Sequence, residues 1–523
     1  MTYRMEFQTL VSGLPAKTKA VYTLERGKPI RHAHADLHQD VRDTIARLQD
    51  WGVQRGSRVG IYAPNSYQWL VHDLALLEIG AISVPFTDDF AGAVNDGLLN
   101  RYNIALLLIS KGDARLFPDR PAHVAFLDGD NGAVRALDRP ASGEPDEDDH
   151  HSLVFSSGSA GGLKGLVISR KGVEATLPPI MDILDVQPGD KLLLFLPMSN
   201  FQQRNMCYAA LWKDIDIIIT DFTRVFAAMK SLSPTILVAP PVLFQMIHAD
   251  FEKLPRWKQA LRMGLGRMIS LLPAPALRRV LARRLFADFH AQFGSHMRVL
   301  MTGMAPIRRS IGHFFERMQL PLCESYGMVE AGSLTFRGAD CREFGSVGKP
   351  LDGVTISFRD DGEIIVHRNT PMTLRYFQCA EGENERTFIG DGRIATGDIG
   401  RLDRNGNLFL LGRKKELIIT PGGYKVHPEV IEQEMNNCPD VAHSVVCLRP
   451  GATNLTCVVD LVRPETDGAR MRVKAHAAGL QSARKITQFV DVVFADAAFT
   501  KENGMLRPNL KIDRKAIVAR YGA

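Results

Sequence analysis

The stretch Phe155-Ser-Ser-Gly-Ser-Ala-Gly-Gly-Leu-Lys-Gly165 follows directly on the apolar residues Leu153 and Val154. A strand that ends in hydroxyls and glycines exposes backbone N–H groups, and Lys164 adds a mobile cation. That combination suits a polyphosphate. Two other readings compete with it. Gly/Ser runs also make plain surface linkers, and a Walker loop counted from Gly158 has Leu163 where its second glycine belongs and Gly165 where Ser or Thr belongs, which disfavours an ordinary P-loop.

Outward from this loop the chain alternates helix-like and strand-like segments. Residues 37–51 are amphipathic, 58–63 read as a strand, and 67–79 are helical again. Residues 142–151 (SGEPDEDDHH) read as a solvated connector, in which His150 and His151 belong to a polar linker and not to a metal site. Further apolar runs at 191–197, 215–219, 235–239 and 298–301 are separated by helical stretches. This is the pattern of a layered α/β fold. Composition changes near Gly390, where residues become turn-rich and Asn405-Gly406 signals a hairpin. A small α+β module follows, with a helix opening at Pro428, strands near 444–448 and 455–462, a helix near Met471 and a strand at 489–494. The expected division is 1–412 and 413–523.

Composition narrows the function. The chain has 523 residues, 45% of them hydrophobic and 23% charged, enough to bury large cores. A net charge of +6 is too small for the basic footprint of a nucleic-acid binder, so no nucleic-acid partner is expected. Seven scattered cysteines with no C-x-x-C pair fit a reduced, cytoplasmic setting. No apolar run reaches the length of a spanning helix. Residues 255–289 are rich in arginine and apolar side chains. They read first as a pair of amphipathic helices packed on the domain, and second as a peripheral contact with an anionic membrane.

More motifs follow the first loop in order. Met301-Thr-Gly-Met-Ala-Pro306 contains small residues that let a flat group lie against the backbone. Ser325-Tyr-Gly-Met-Val-Glu330 offers an aromatic face and a hard oxygen ligand, although such a tyrosine is commonly half-buried core and such a glutamate a solvated charge. Thr396-Gly-Asp398 and Gly412-Arg413 present a carboxylate that can accept two hydroxyls and a guanidinium that can bridge them, or else a capped turn. Pro421-Gly-Gly-Tyr-Lys425 is either a site of close backbone approach or a turn before the next helix. Asn503-Gly-Met-Leu-Arg-Pro-Asn-Leu-Lys-Ile-Asp-Arg514 closes the series.

Taken together these segments resemble the adenylate-forming superfamily of acyl-CoA synthetases, peptide-synthetase adenylation domains and luciferases, over nearly the whole chain from Val53 to Arg514. The resemblance implies a large N-terminal domain, a small mobile C-terminal domain, and ATP, Mg²⁺ and CoA as cofactors. It makes Ser156, Ser157, Gly158, Ser159 and Gly161 phosphate-loop residues alongside Lys164, and puts Gly303, Ala305 and Pro306 beside adenine with Tyr326 and Gly327. It has Glu330 hold Mg²⁺, Asp398 and Arg413 hold the ribose, Lys415 mark the hinge, and Gly422 and Gly423 line the pantetheine tunnel. Lys511 falls at the catalytic lysine position, with Lys501 too early in the pattern. Three positions depart from the family: Leu163 replaces a proline, Val329 a threonine that donates to the α-phosphate, and Asn200 a histidine in Leu196-Pro-Met-Ser-Asn-Phe-Gln-Gln-Arg204, which is similar to a segment of long-chain fatty acid activators. In the same segment Gln203 takes a glutamate's place. The expected activity is conversion of a medium- or long-chain fatty acid to acyl-AMP and then to its CoA thioester. The alternatives are a ligase that loads an acyl carrier protein and a degenerate nucleotide-binding homologue.

Overall fold

Alternation along the apolar strands sorts the chain into separate cores. In Lys191–Leu194, Leu192 and Leu194 enter one buried cluster while Leu193, between them, enters another. In Ile104–Ile109, Leu106 and Leu108 join that first cluster, and Leu107 and Ile109 join a third. Successive strand side chains point to opposite faces, so a strand whose neighbours are all apolar must be covered on both sides. The first cluster therefore fills the space between two sheets, and the other two lie on their outer faces.

A computed structural model describes residues 5–87, 90, 93–129, 131–139, 149–157, 163–294, 296–339, 341, 343–462, 467–483, 490–507 and 512–522. The first sheet has seven strands in the order Thr373–Phe377, Leu163–Ser169, His150–Ser157, Ile82–Pro85, Arg58–Tyr62, Ile104–Ile109 and Val124–Phe126. The second has nine, and its central members Asp216–Ile219, Lys191–Leu194, Ile236–Ala239, Val299–Thr302 and Leu322–Met328 run parallel. Between the sheets lies the helix Tyr67–Ile79, buried almost all round. Ser66 caps its start by accepting from Trp69 N at 3.1 Å, and Gly80 ends it in the left-handed region at φ 79°.

A four-stranded antiparallel sheet, Thr355–Phe358, Glu363–His367, Arg393–Leu402 and Leu408–Arg413, leads out of this body, with Gly406 at φ 80° in the hairpin turn. Beyond it, the helix Pro428–Met435, the strands Val441–Leu448, Leu455–Leu461 and Val490–Phe494, and the helices Asp467–Ser482 and Arg514–Tyr521 pack around cores of their own. The fold is α/β with a smaller α+β body at its C-terminal end. The expected cut between Gly412 and Arg413 falls inside the strand Leu408–Arg413.

One expectation is corrected. His150 and His151 are not solvated linker: they open the strand His150–Ser157 and are 3% and 2% exposed. The His151 ring lies 5.1 Å from that of Phe7 and 5.6 Å from that of Tyr208, and burial drives its pKa well below the ordinary histidine value. An imidazole kept neutral in an aromatic pocket behaves as core, and the acidic residues just upstream gave no sign of that.

Candidate active site

The glycine-rich segment emerges from a hairpin. His150–Ser157 pairs antiparallel with Leu163–Ser169, which puts Ser156 opposite Lys164 and Ser157 opposite Leu163 at the open end. Gly158, Ser159 and Gly161 lie outside the described residues, as does Lys511. The third strand of this group, Thr373–Phe377, pairs Phe377 with Gly165 and Tyr376 with Leu166. That register brings two unheralded side chains to Lys164. Its ammonium pairs with the Glu383 carboxylate and lies 4.7 Å from the centre of the Tyr376 ring. The Tyr376 hydroxyl in turn donates to Glu330 Oε1 at 2.9 Å, and burial, reinforced by Glu330, raises the phenol's pKa, so it stays protonated. The two members of the expected phosphate and metal end, Lys164 and Glu330, are thus joined through Tyr376.

The segment 325–330 is the centre of the arrangement. It runs along the strand Leu322–Met328, with an irregular register between Tyr326 and Gly327. Gly327 has no room for a side chain: a Cβ would lie 2.5 Å from the Gly332 carbonyl oxygen. The Tyr326 hydroxyl donates to Asp398 Oδ2 at 2.7 Å, and Arg413 Nε lies 3.3 Å from Asp398 Oδ1. Asp398 faces Arg413 across the sheet because Arg393–Leu402 and Leu408–Arg413 pair with Asp398 opposite Arg413. Burial raises the Asp398 pKa, an effect Arg413 and the Tyr326 bond oppose. Val329 contributes its carbonyl, which accepts from Thr373 Oγ1 at 2.8 Å.

A partly open cavity adjoins this segment. Ser325, Gly327, Gly303 and Met304 form one edge, and Leu177, Ile180, Met206, Met301 and Met372 supply an apolar wall. Methionines make such a wall adaptable. Asn200 and Gln203 border the same space, and Asn200 has a local task as well, because its side chain accepts from Gln202 N at 3.1 Å and caps the helix Phe201–Trp212. Ala305 and Pro306 follow Gly303 as exposed residues. Arg204 of the same motif is no part of the wall: it is fully buried, 2.6 Å from Asp73.

At the junction of the two bodies, Lys414 Nζ lies 2.7 Å from Asp361 and 2.8 Å from Glu363, which hold its pKa up. Glu363 also accepts from Gly397 N at 3.2 Å. Gly412 is at φ 150°, and a Cβ there would meet Glu429 Oε2 at 2.4 Å. Gly422 and Gly423 occupy the turn between the short strands Ile418–Ile419 and Lys425–Val426, with Gly423 at φ 78° and Tyr424 exposed beside them. Lys501 is exposed in a turn. Among the described residues no group of three or more His, Cys, Asp or Glu side chains is arranged to hold a metal. A Mg²⁺ ion that takes most of its ligands from substrate phosphates and water needs only one or two carboxylates, and Glu330 meets that requirement.

Sequence reasoning missed Tyr376, Glu383, Glu363 and Asp361. Tyr376 and Glu363 reach the site through strand pairing, Glu383 from the short helix Glu383–Thr387 and Asp361 from the turn before the strand Glu363–His367.

The α/β body thus carries a paired carboxylate and guanidinium, Asp398 and Arg413, and a hairpin that bears Lys164. Residues 7–371 match the AMP-binding enzyme family, and the chain belongs to it. It is 26% identical over 563 residues to the long-chain-fatty-acid–CoA ligase FadD15 of Mycobacterium tuberculosis, covering 94% of this chain and 90% of that one. It is 20% identical to the chloroplastic long-chain-fatty-acid–[acyl-carrier-protein] ligase AEE15 of Arabidopsis thaliana, covering 94% and 82%. The fold matches ATP-bound MatB from Rhodopseudomonas palustris with a TM-score of 0.74 at 21% identity, over 99% of each chain.

Proposed function

We propose that this enzyme activates a medium- or long-chain fatty acid with ATP and transfers the acyl group to the thiol of CoA. One observation carries the reading: the six residues 325–330 connect the apolar cavity, the pair of Asp398 and Arg413, and Lys164. Ser325 and Gly327 border the apolar cavity, Tyr326 is bonded to the Asp398 and Arg413 corner, and Glu330 is bonded through Tyr376 to the Lys164 end. An acyl chain in the cavity has its carboxylate beside a nucleotide whose sugar is held at one end and whose phosphates are met at the other.

The chemical difficulty is electrostatic. A carboxylate must approach the α-phosphorus of a polyanion carrying a charge of about −4, and Coulomb repulsion opposes it. Lys164 neutralises charge on the phosphates, aided by backbone N–H groups of the glycine-rich segment before it, a role that rests on that motif. Lys511 adds a second cation from the small body, a role that rests on the closing motif. Glu330 would hold Mg²⁺, which when bound shields the phosphate oxygens. The carboxylate oxygen bonds to the α-phosphorus as pyrophosphate leaves, giving acyl-AMP. The thiol then attacks the acyl carbon and AMP departs. Asp398 and Arg413 keep the sugar fixed through both steps, so positioning and charge compensation do the catalytic work.

The test is pyrophosphate release from ATP across a series of fatty acids, followed by product analysis with CoA or with a holo-acyl carrier protein. Acid-dependent release with thioester formed on CoA is the expected result. A thioester formed on the carrier alone overturns the acceptor, and no acid-dependent release overturns the activity. In Lys511→Ala, adenylate formation is expected to fall by orders of magnitude while thioester formation from supplied acyl-AMP persists. Retained exchange of pyrophosphate into ATP would reject that lysine.

A further inference from the structure

The helix Arg256–Ser270 and the one after it, Pro275–Leu285, are docked by a narrow inner face. Gly266, Ile269 and Ala282 are buried there, and a Cβ on Gly266 would lie 2.2 Å from the Arg317 carbonyl oxygen. The opposite face is unusual for a packed pair. Trp257, Leu261, Met268 and Leu271 are 64%, 54%, 67% and 79% exposed. With Gly264 they recur at intervals of four, three, four and three residues, which places them on one continuous stripe of a helix. Leu277 and Val280 extend the apolar exposure onto the second helix at 47% and 50%. The packing that the sequence suggested is real on one side only.

Charge identifies the occupant. Residues 256–286 contain eight Lys or Arg and no Asp or Glu. Arg262 reaches Asp288, outside the segment, at 2.6 Å. We infer that this face docks on an anionic lipid bilayer, its apolar stripe entering the headgroup boundary and its cations facing lipid phosphates, as interfacial amphipathic helices do. A second copy of the chain would set eight cations against eight. A nucleic acid would satisfy the cations and leave the stripe in water. Among the described residues no helix is long and apolar enough to cross a membrane, so the contact is one of lying on the surface. The inference concerns binding alone and does not depend on the proposed reaction.

The test is co-sedimentation of the full chain with phosphatidylcholine vesicles and with mixed phosphatidylcholine and phosphatidylglycerol vesicles. Binding is expected to the mixed vesicles and to weaken as salt is raised. The double variant Met268→Glu, Leu271→Glu and the fourfold variant Arg278→Gln, Arg279→Gln, Arg283→Gln, Arg284→Gln are each expected to lose about tenfold in vesicle partitioning, with unchanged melting temperature. No binding by the natural chain, or equal binding by both variants, overturns the inference. A concentration-dependent dimer abolished by the glutamates would assign the face to a second copy instead. Binding to an oligonucleotide that matches the vesicles in strength and ignores the glutamates would assign it to a polyanion, and either result also overturns the proposal.

Discussion

The two ends of the proposed nucleotide site are prepared differently. At the sugar end, strand pairing sets Arg413 opposite Asp398, and Tyr326 reaches the same carboxylate from the nine-stranded sheet. At the phosphate end, the ammonium of Lys164 is engaged by a carboxylate of the protein itself, Glu383, over the face of Tyr376. The first end is ready for a ligand and the second must exchange one anionic partner for another. The difference teaches that a cation intended for a polyphosphate need not wait in solvent: an internal carboxylate can orient it, at the cost of competing with the substrate.

Four measurements sharpen or break this contrast. Asp398→Ala removes two charge-assisted hydrogen bonds to the sugar, worth about 1.5–3 kcal/mol each, so AMP affinity is expected to fall by on the order of 100-fold or more by calorimetry. A loss below a few-fold would mean that the corner is structural. Lys164→Ala is expected to raise the ATP concentration needed for half-maximal pyrophosphate release by about tenfold, with AMP affinity nearly unchanged because AMP lacks the outer phosphates. An unaltered ATP titration would return the hairpin to the status of a surface loop.

The third measurement is pH dependence at the sugar end. Burial raises the Asp398 pKa, so on acidification this carboxyl gains its proton sooner than an exposed aspartate with its ordinary value of about 3.9. The protonated form has lost acceptor capacity, so AMP binding is expected to weaken toward acid at a higher pH than an exposed aspartate would give, and Asp398→Asn is expected to flatten that limb. The smallest effect belongs to Glu383→Gln. Releasing Lys164 from a partly exposed ion pair worth about 0–1 kcal/mol should lower the half-maximal ATP concentration by no more than about fivefold. An increase would show that Glu383 aims the lysine and does not compete for it.

Much of this was legible in the residues. The helix Tyr67–Ile79 and the buried strand Lys191–Leu194 follow from apolar length and periodicity, and the hairpin that joins Arg393–Leu402 to Leu408–Arg413 follows from the Asn405-Gly406 turn. The phosphate end was legible only by half. Lys164 stands in a marked loop, but Tyr376 and Glu383 lie more than 200 residues further on and arrive by the register of an edge strand and by the short helix Glu383–Thr387 after it, which no local pattern encodes. Arg204 misled in the opposite sense. It ends a motif similar to a segment of long-chain fatty acid activators, yet it is spent on a buried pair with Asp73, because a guanidinium inside a core needs a carboxylate beside it. Asn200, a departure from the family pattern, is explained locally by the helix it caps.

The mooring of Lys414 on Asp361 and Glu363 has a practical consequence for recombining such chains. A chimera spliced at Lys415 keeps both Lys414 with its carboxylates and the guanidinium of Arg413 with Asp398. A splice a few residues earlier hands that arginine to the donor's tail and leaves half of the sugar corner to an unrelated parent.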